Sequence, residues 1–294
     1  MSSAEIASTS LKHLKEDEIF VLFLLSKHLH RFRIFPLRTL MEASGMSLKH
    51  LRKISWSLHK KDLVHYVKAP YEGLILRMSG LDAIALHSLR SLGIISLFGR
   101  RIGVGKESDI YEALTPENER VCLKFYRIGR TSFRDVIRKR AYTLAGSYVS
   151  WFIRSINAAE REFTVLKRLY KLGVSVPRPI AQNRHIVVME YLDGEIVARA
   201  KKVLNPDLVL REILKIIKDA YNAGYVNCDL SAYNVFITVQ GRVLVIDWPQ
   251  AVKKSMKNSK LRLRKDIERI CEYFEDKFGI KIDYKREYER IIGN

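Results

Sequence analysis

Three cysteines in 294 residues, Cys122, Cys228 and Cys271, are too few and too far apart for a disulfide framework, and no CxxC pair is present to seed a zinc site. They fit a reducing compartment, and a cytoplasmic location is expected. Long apolar runs are also missing. The longest, Ile19 to Leu25, falls far short of the roughly 20 residues that a membrane helix needs, so no membrane partner is expected. Acidic residues precede that run, which is unlike a signal peptide. Two phosphate-binding signatures are absent: the P-loop G-x-x-x-x-G-K-[ST] and the dinucleotide G-x-G-x-x-G. No internal repeat or low-complexity tract is present. Acidic side chains are scarce, 32 against 52 Lys and Arg, for a net charge of +20. An anionic partner follows from that excess, nucleic acid first. The length suggests two domains.

What is present is most informative from Val226 to Gln250, V-N-C-D-L-S-A-Y-N-V-F-I-T-V-Q-G-R-V-L-V-I-D-W-P-Q. Two β-branched and apolar runs, Val235 to Val239 and Arg242 to Ile246, flank Gln240-Gly241 and read as a hairpin with a two-residue turn. That register puts Val239 opposite Arg242 and Asn234 opposite Asp247, with side chains roughly 5 Å apart. A carboxamide and a carboxylate at one open end suit a hard cation such as Mg²⁺, which keeps waters and bridges phosphates. Asp229, five residues before Asn234, supplies a carboxylate free of the metal to orient or deprotonate an attacking group. Each piece alone is ordinary turn or cap chemistry. Their convergence favours a metal–phosphate site.

The first part of the chain, from about Leu11 to Met78, predicts a small helical domain. Asp17 to Leu29 carries a dense apolar face, Pro36 to Ala43 forms a short second helix, and Ser47 caps a third with Leu48, Leu51, Ile54 and Leu58 at helical spacing. Leu63 to Lys68 and Leu74 to Met78, around the turn Pro70 to Gly73, form a wing. The third helix exposes Lys49, Arg52, Lys53, Lys60 and Lys61 beside Trp56, a face for nucleic acid or merely a solvated one. Ser79 to Leu97 is helix-compatible and joins this domain to the next without a flexible linker.

From Arg100 the chain reads I-G-V-G-K-E-S-D-I-Y. Gly103 and Gly105 turn backbone N–H groups toward an anion and Ser108 adds a hydroxyl, or the pair is only hairpin chemistry. Lys124 stands among apolar neighbours on the strand Val121 to Phe125. It is either a buried cation needing an anionic partner, for which the helix near Ile156 offers Glu160 and Glu162, or a surface lysine on an edge strand. Arg127 to Tyr148 is basic, with Arg127, Arg130, Arg134, Arg138, Lys139 and Arg140 among Thr131, Ser132, Thr143 and Ser147. It is expected to be a mobile segment that closes over phosphates or RNA, or a solvated loop. Met189 to Gly194 resembles a hinge whose backbone holds adenine. Pro206 to Ala223 is an amphipathic helix ended by Gly224.

Taken together and in this order, G-V-G-K-E-S, V-C-L-K-F, R-E-F, M-E-Y-L-D-G, C-D-L-S-A-Y-N and I-D-W-P-Q resemble the RIO family of atypical protein kinases, and the N-terminal winged helix points to its winged-helix-bearing second subfamily. The resemblance covers nearly the whole chain. It implies an α+β protein: a winged helix (1–82), a connecting helix (83–98) and a reduced bilobal kinase-like RIO domain (99–294), with lobes meeting at 190/191. It implies that Gly103, Gly105, Lys106, Glu107 and Ser108 contact the triphosphate, that Lys124 contacts phosphates and pairs with Glu162, and that Glu190 to Leu192 hold adenine. Asp229 would be the catalytic aspartate, and Asn234 and Asp247 the metal ligands. Asp247 is also a candidate acceptor of a transient phosphoryl group. ATP and Mg²⁺, with Mn²⁺ as an alternative, are the implied cofactors. The precursor of the small ribosomal subunit and its rRNA are the implied partners.

The chain departs from that pattern at Asn227-Cys228, where His-Gly is common, and at Trp248, where Phe is usual; a looser catalytic loop is expected from the missing His. Only 47 residues follow Asp247 and no Ala-Pro-Glu motif occurs, so the lobe that ordinary kinases use for peptides has no room. Two other functions remain open. A small-molecule phosphotransferase of the aminoglycoside or choline kinase type shares the D-x-x-x-x-N loop, and a nucleotide-binding RNA scaffold with little catalysis would account for Asn227-Cys228.

Overall fold

The computed structural model describes residues 1–129 and 144–293, with backbone alone over 144–150. The basic residues Arg130 to Arg140, together with Thr131, Ser132, Thr143 and the Ser147 side chain, lie outside the described residues. Contacts divide the chain into a first unit, Met1–Asn157 with Asn183–Ile186, and a second unit, Ala158–Gln182 with Val187–Asn294. Among the described residues no helix is long and apolar enough to cross a membrane.

The first unit begins with a helix that the sequence did not announce. α1 (Ser3–Leu11) is closed by a capping box in which the Ser2 hydroxyl accepts from Glu5 N–H while the Glu5 carboxylate accepts from Ser2 N–H. It buries only Ala4 and Ala7, so its apolar face gives almost no periodic signal. The winged helix follows as α2 (Glu16–Lys27), β1 (Phe35–Pro36), α3 (Leu37–Ser44), α4 (Leu48–Lys60), β2 (Val64–Val67) and β3 (Gly73–Leu76), with strand order β1-β3-β2. Ser47 caps α4 by accepting from His50 N–H, and Leu51, Ile54 and Leu58 are its buried stripe. α5 (Met78–Ser91) buries every residue from Ser79 to Leu86.

Also in the first unit, β4 (Leu97–Val104), β5 (Ser108–Leu114) and β6 (Arg120–Tyr126) form an antiparallel meander. Register decides the two faces. The pairs Asp109–Phe125, Tyr111–Leu123 and Ala113–Val121 share the buried side, while Ser108–Tyr126, Ile110–Lys124 and Glu112–Cys122 share the other. Lys124 is thus no surface residue on an edge strand. It is buried, on the same face as Ser108, with its ammonium 5.0 Å from the Tyr126 ring centre.

α6 (Leu144–Lys171) runs through the boundary between the units, as do β7 (Pro179–Asn183) and β8 (Ile186–Glu190). The second unit also holds β9 (Gly194–Ile196), α7 (Pro206–Asn222), β10 (Tyr225–Val226), β11 (Val235–Thr238), β12 (Val243–Val245), β13 (Val252–Lys253), α8 (Ser259–Phe278) and α9 (Tyr284–Ile292). Its core lies where α7 meets α8 and β12; α7 buries Leu210, Ile213 and Ile217, and α8 buries Leu263, Ile267 and Ile270. Pro206 opens α7, where its missing N–H costs nothing.

The β11–β12 hairpin differs from expectation by one residue. Thr238 N–H donates to Arg242 O and Gly241 N–H to Thr238 O, so the turn holds three residues, Val239 to Gly241, with Gly241 left-handed at φ +80°. A three-residue loop ending in a left-handed glycine shifts the pairing by one. Val235 therefore pairs with Val245, and Asn234 faces Ile246, whose N–H it accepts at 2.8 Å. The expected opposition of Asn234 and Asp247 is corrected accordingly.

Candidate active site

The loop 227–234 hangs from three side chains of its own unit. Asn227, buried, donates from Nδ2 to Asp247 O at 3.1 Å and accepts from Asp229 N–H on Oδ1 at 3.1 Å. One carboxamide thereby ties the two aspartate segments together. The residue that takes the place of His is a bridge, and the looser loop expected from the missing His is not what the hydrogen bonds show. Asp266 on α8, also buried, accepts from Cys228 N–H at 2.7 Å and Leu230 N–H at 3.2 Å. Arg269, one turn further on, donates to Leu230 O at 3.0 Å and reaches Asp229 Oδ1 at 3.5 Å. Cys228 is held left-handed at φ +73°, a strained turn for a non-glycine residue that these bonds over-determine.

Asp229 itself keeps 64% of its side chain exposed, as a group that meets an incoming reactant must. Asn234 closes the 3₁₀ turn Ala232–Asn234 and donates from Nδ2 to Asp229 O at 2.8 Å, which leaves its Oδ1 as the acceptor end. Asp247 stands one residue past the hairpin pair Ile246–Asn234, at φ +69°. The short helical turn and the left-handed aspartate, rather than a cross-strand pair, place Asn234 and Asp247 at one end of the ribbon. Their donor set fits Mg²⁺: an amide oxygen and a carboxylate are hard ligands, too few for a closed cage and suited to a cation that also binds phosphate and water. Glu162 on α6 accepts from Trp248 N–H at 2.9 Å, fixing the backbone immediately after Asp247.

Asp266 was not singled out in the sequence. The signal was there, since a carboxylate sits within the apolar stripe Leu263, Ile267, Ile270 and Phe274. Burial pushes its pKa up to about 6 from 3.8, with help from Asp229 and against the two N–H donors. The folded state then holds the proton more tightly than the unfolded one, so this contribution to stability is full below about pH 4 and is lost as pH rises through about 6. Its size is roughly 3 kcal/mol. Urea titrations between pH 4 and 7 should show that decline in the wild type and a flatter profile in Asp266→Asn; equal slopes would refute the assignment.

At the proposed hinge, Glu190 N–H donates to Arg178 O at 2.9 Å, and the Glu190 carboxylate accepts from Arg178 N–H at 2.9 Å and Arg242 Nη2 at 3.3 Å. The side chain braces the strand, leaving any adenine contact to the backbone of 190–192. In the first unit Gly105 N–H donates to Ser108 O at 2.8 Å, closing the turn that carries Lys106 and Glu107. Arg127 departs from the sequence reading altogether. It belongs to no solvated loop but is 5% exposed, forked onto Asp82 at 2.7 and 2.8 Å and reaching Asp109 at 3.3 Å. On the winged helix, Lys49, Arg52, Lys53 and Lys60 are exposed, as is Trp56, stacked on His59 at 5.2 Å. Arg52 is forked onto Glu72 of the wing, and Lys61 is tied to the buried Glu18.

A winged helix followed by a meander with a glycine turn and a lysine on its central face, and by a loop carrying Asp229, Asn234 and Asp247, defines a winged-helix-bearing protein of the kinase-like class. The RIO domain model matches residues 109–287, and the Rio2 N-terminal model matches residues 11–91. The chain belongs to the RIO kinase family and carries the Rio2-type N-terminal domain. It is 36% identical over 235 residues to the RIO-type serine/threonine-protein kinase Rio2 of Methanocaldococcus jannaschii, covering 76% of this chain and 86% of that one. It is 30% identical over 270 residues to the serine/threonine-protein kinase rio2 of Dictyostelium discoideum, covering 92% of this chain but 52% of that one, so it spans about half the length of that relative. The crystal structure of the Rio2 kinase from Chaetomium thermophilum in its ADP/Mg²⁺-phosphoaspartate complex superposes with a TM-score of 0.82 at 28% identity, covering 96% of this chain and 88% of that one.

Proposed function

We propose that this protein is a Mg·ATP-dependent atypical serine kinase and ATPase that passes a phosphoryl group through Asp247 and acts on the maturing small ribosomal subunit, in the cytoplasm. The observation that carries the reading is the loop in which Asn227 bridges Asp229 and Asp247, with Asn234 turned beside them. In this assignment the Gly103–Ser108 turn and Lys124 bind the triphosphate, the 190–192 backbone takes adenine, and Asn234 and Asp247 hold the cation. Mg²⁺, when bound, supplies charge neutralisation to the phosphates. An Asp247 carboxylate oxygen attacks the γ-phosphorus, the bond to the β,γ-bridging oxygen breaks, and ADP leaves. A water or an acceptor hydroxyl then attacks the phosphorus of the phosphoaspartate, the bond from phosphorus to the Asp247 oxygen breaks and frees that carboxylate, and Asp229 takes the proton of the attacking group. The phosphoaspartate of the Chaetomium thermophilum kinase supports that order of events. The ribosomal partner is supported by the net charge of +20 and by the exposed cations of the winged helix.

Incubation with γ-labelled ATP and Mg²⁺, with and without purified small-subunit precursor, tests it. The expected label is acid-stable, discharged by hydroxylamine and lost in Asp247→Ala. Label that survives hydroxylamine, or that persists in Asp247→Ala, removes the aspartyl step.

A further inference from the structure

Asp82, Asp109, Arg127 and His185 are all buried in the first unit, and none belongs to the catalytic loop. Arg127 follows β6 and holds both neighbours of Ser108. Its backbone N–H donates to Glu107 O at 2.6 Å, and its Nε reaches the Asp109 carboxylate at 3.3 Å. The two terminal nitrogens fork onto Asp82 of α5 at 2.7 and 2.8 Å, and His185 Nε2 meets the same carboxylate at 2.6 Å. The His185 carbonyl in turn accepts Tyr126 N–H at 2.9 Å. By the strand register Asp109 lies on the face opposite Ser108 and Lys124, so this cluster grips the glycine turn from behind.

We propose that Arg127 is a positioning residue for the phosphate-binding turn and that Asp82, which lies outside the matched kinase-like region, sets its hold, so that nucleotide affinity depends on a carboxylate of the N-terminal helices. The inference rests on reading Gly103–Ser108 as the phosphate turn. Buried ion clusters are poor sources of net stability, since apolar groups of similar volume do as well. What a planar guanidinium forked onto one carboxylate provides is a fixed direction, and here it fixes the strand that starts at Ser108. The cluster is costly in another respect: it leaves His185 Nδ1 without a hydrogen-bond partner. Geometry is the return on that cost. A displacement of α5 would move Arg127 and, through it, the backbone of Glu107 and Asp109.

Asp82→Asn keeps the shape and removes the charge. The expected result is a KM for ATP and a Kd for Mg·ADP raised about tenfold, with kcat within about twofold, because neither Asp229 nor Asp247 is touched. Arg127→Lys, which cannot fork, should move KM the same way. Asp109→Asn, the milder change, should raise it about threefold and serves if Asp82→Asn does not fold. Leu40→Ala, in the winged-helix core, lowers the melting temperature but should leave KM unchanged. Hydrogen exchange at the Arg127 amide should quicken in Asp82→Asn and not in Leu40→Ala. A KM unchanged in Asp82→Asn or Asp109→Asn, or raised equally by Leu40→Ala, overturns the proposal. Failure of the wild type to bind Mg·ADP overturns the phosphate-turn reading itself.

Discussion

Arg127→Met should lower the unfolding free energy by about 3–5 kcal/mol, the usual consequence of leaving a buried charge without its partner. Two carboxylates, Asp82 and Asp109, face the removed guanidinium, and both are almost fully inaccessible to water. In the wild type, burial would raise the Asp82 carboxyl, but Arg127 and His185 overcome it and hold the pKa at about 2, below its ordinary 3.8. Because the folded value is the lower one, this stabilisation is present above about pH 4 and is lost as pH falls through about 2. Without Arg127 the burial effect dominates and Asp82 takes up its proton at higher pH, so acid unfolding should begin earlier in the variant. The double change Asp82→Leu with Arg127→Met should recover part of the loss, since it removes one carboxylate together with the guanidinium and leaves only Asp109 facing the vacated space. Urea midpoints of the two single variants and the double variant measure the coupling directly. If the effects of Asp82→Leu and Arg127→Met simply add, the two residues are not working as one unit.

Asp229→Ala is expected to slow single-turnover ATP hydrolysis by about 10²- to 10⁴-fold, the range for losing a positioned general base. Binding of Mg·ADP should change little, because Asp229 is assigned to the attacking group and not to the cation. Asp247→Ala should differ in kind: in the proposed assignment it removes a ligand and the acceptor together, so both binding and turnover should fall. The contrast is the informative part. Equal loss of nucleotide affinity in the two variants would mean that the roles have been divided wrongly between them. The Arg269 contact at 3.5 Å offers Asp229 a counter-charge, and with 64% of the side chain exposed solvent screens it, so the effect of Arg269→Ala on turnover should be far smaller.

Much of the candidate site could be nominated from the sequence because its residue types carry the chemistry. A carboxylate, a carboxamide and a second carboxylate around a predicted hairpin marked the loop, and a lysine among apolar neighbours marked β6. The missed parts share a physical cause. The hairpin slipped by one because Gly241 is left-handed and lengthens the turn to three residues, a choice open to any Gln-Gly pair. α1 went unseen because alanines at Ala4 and Ala7 give little apolar contrast. Arg127 was grouped with a basic run because its partners lie 45 and 18 positions earlier in the chain.

The amino-acid sequence by itself determined the winged helix with its Ser47 cap, the order of most of the elements after α1, and the choice of Asp229, Asn234, Asp247 and Lys124 as candidates. Those depend on local periodicity, capping and side-chain chemistry, which act over a few residues. Tertiary structure alone decided that Asn227 bridges the two aspartates, that Asp266 suspends the loop 227–234, and that Arg127 is buried behind the glycine turn. Each of these is a hydrogen bond between segments distant in sequence, and which donor meets which acceptor is settled only when the helices and strands have packed.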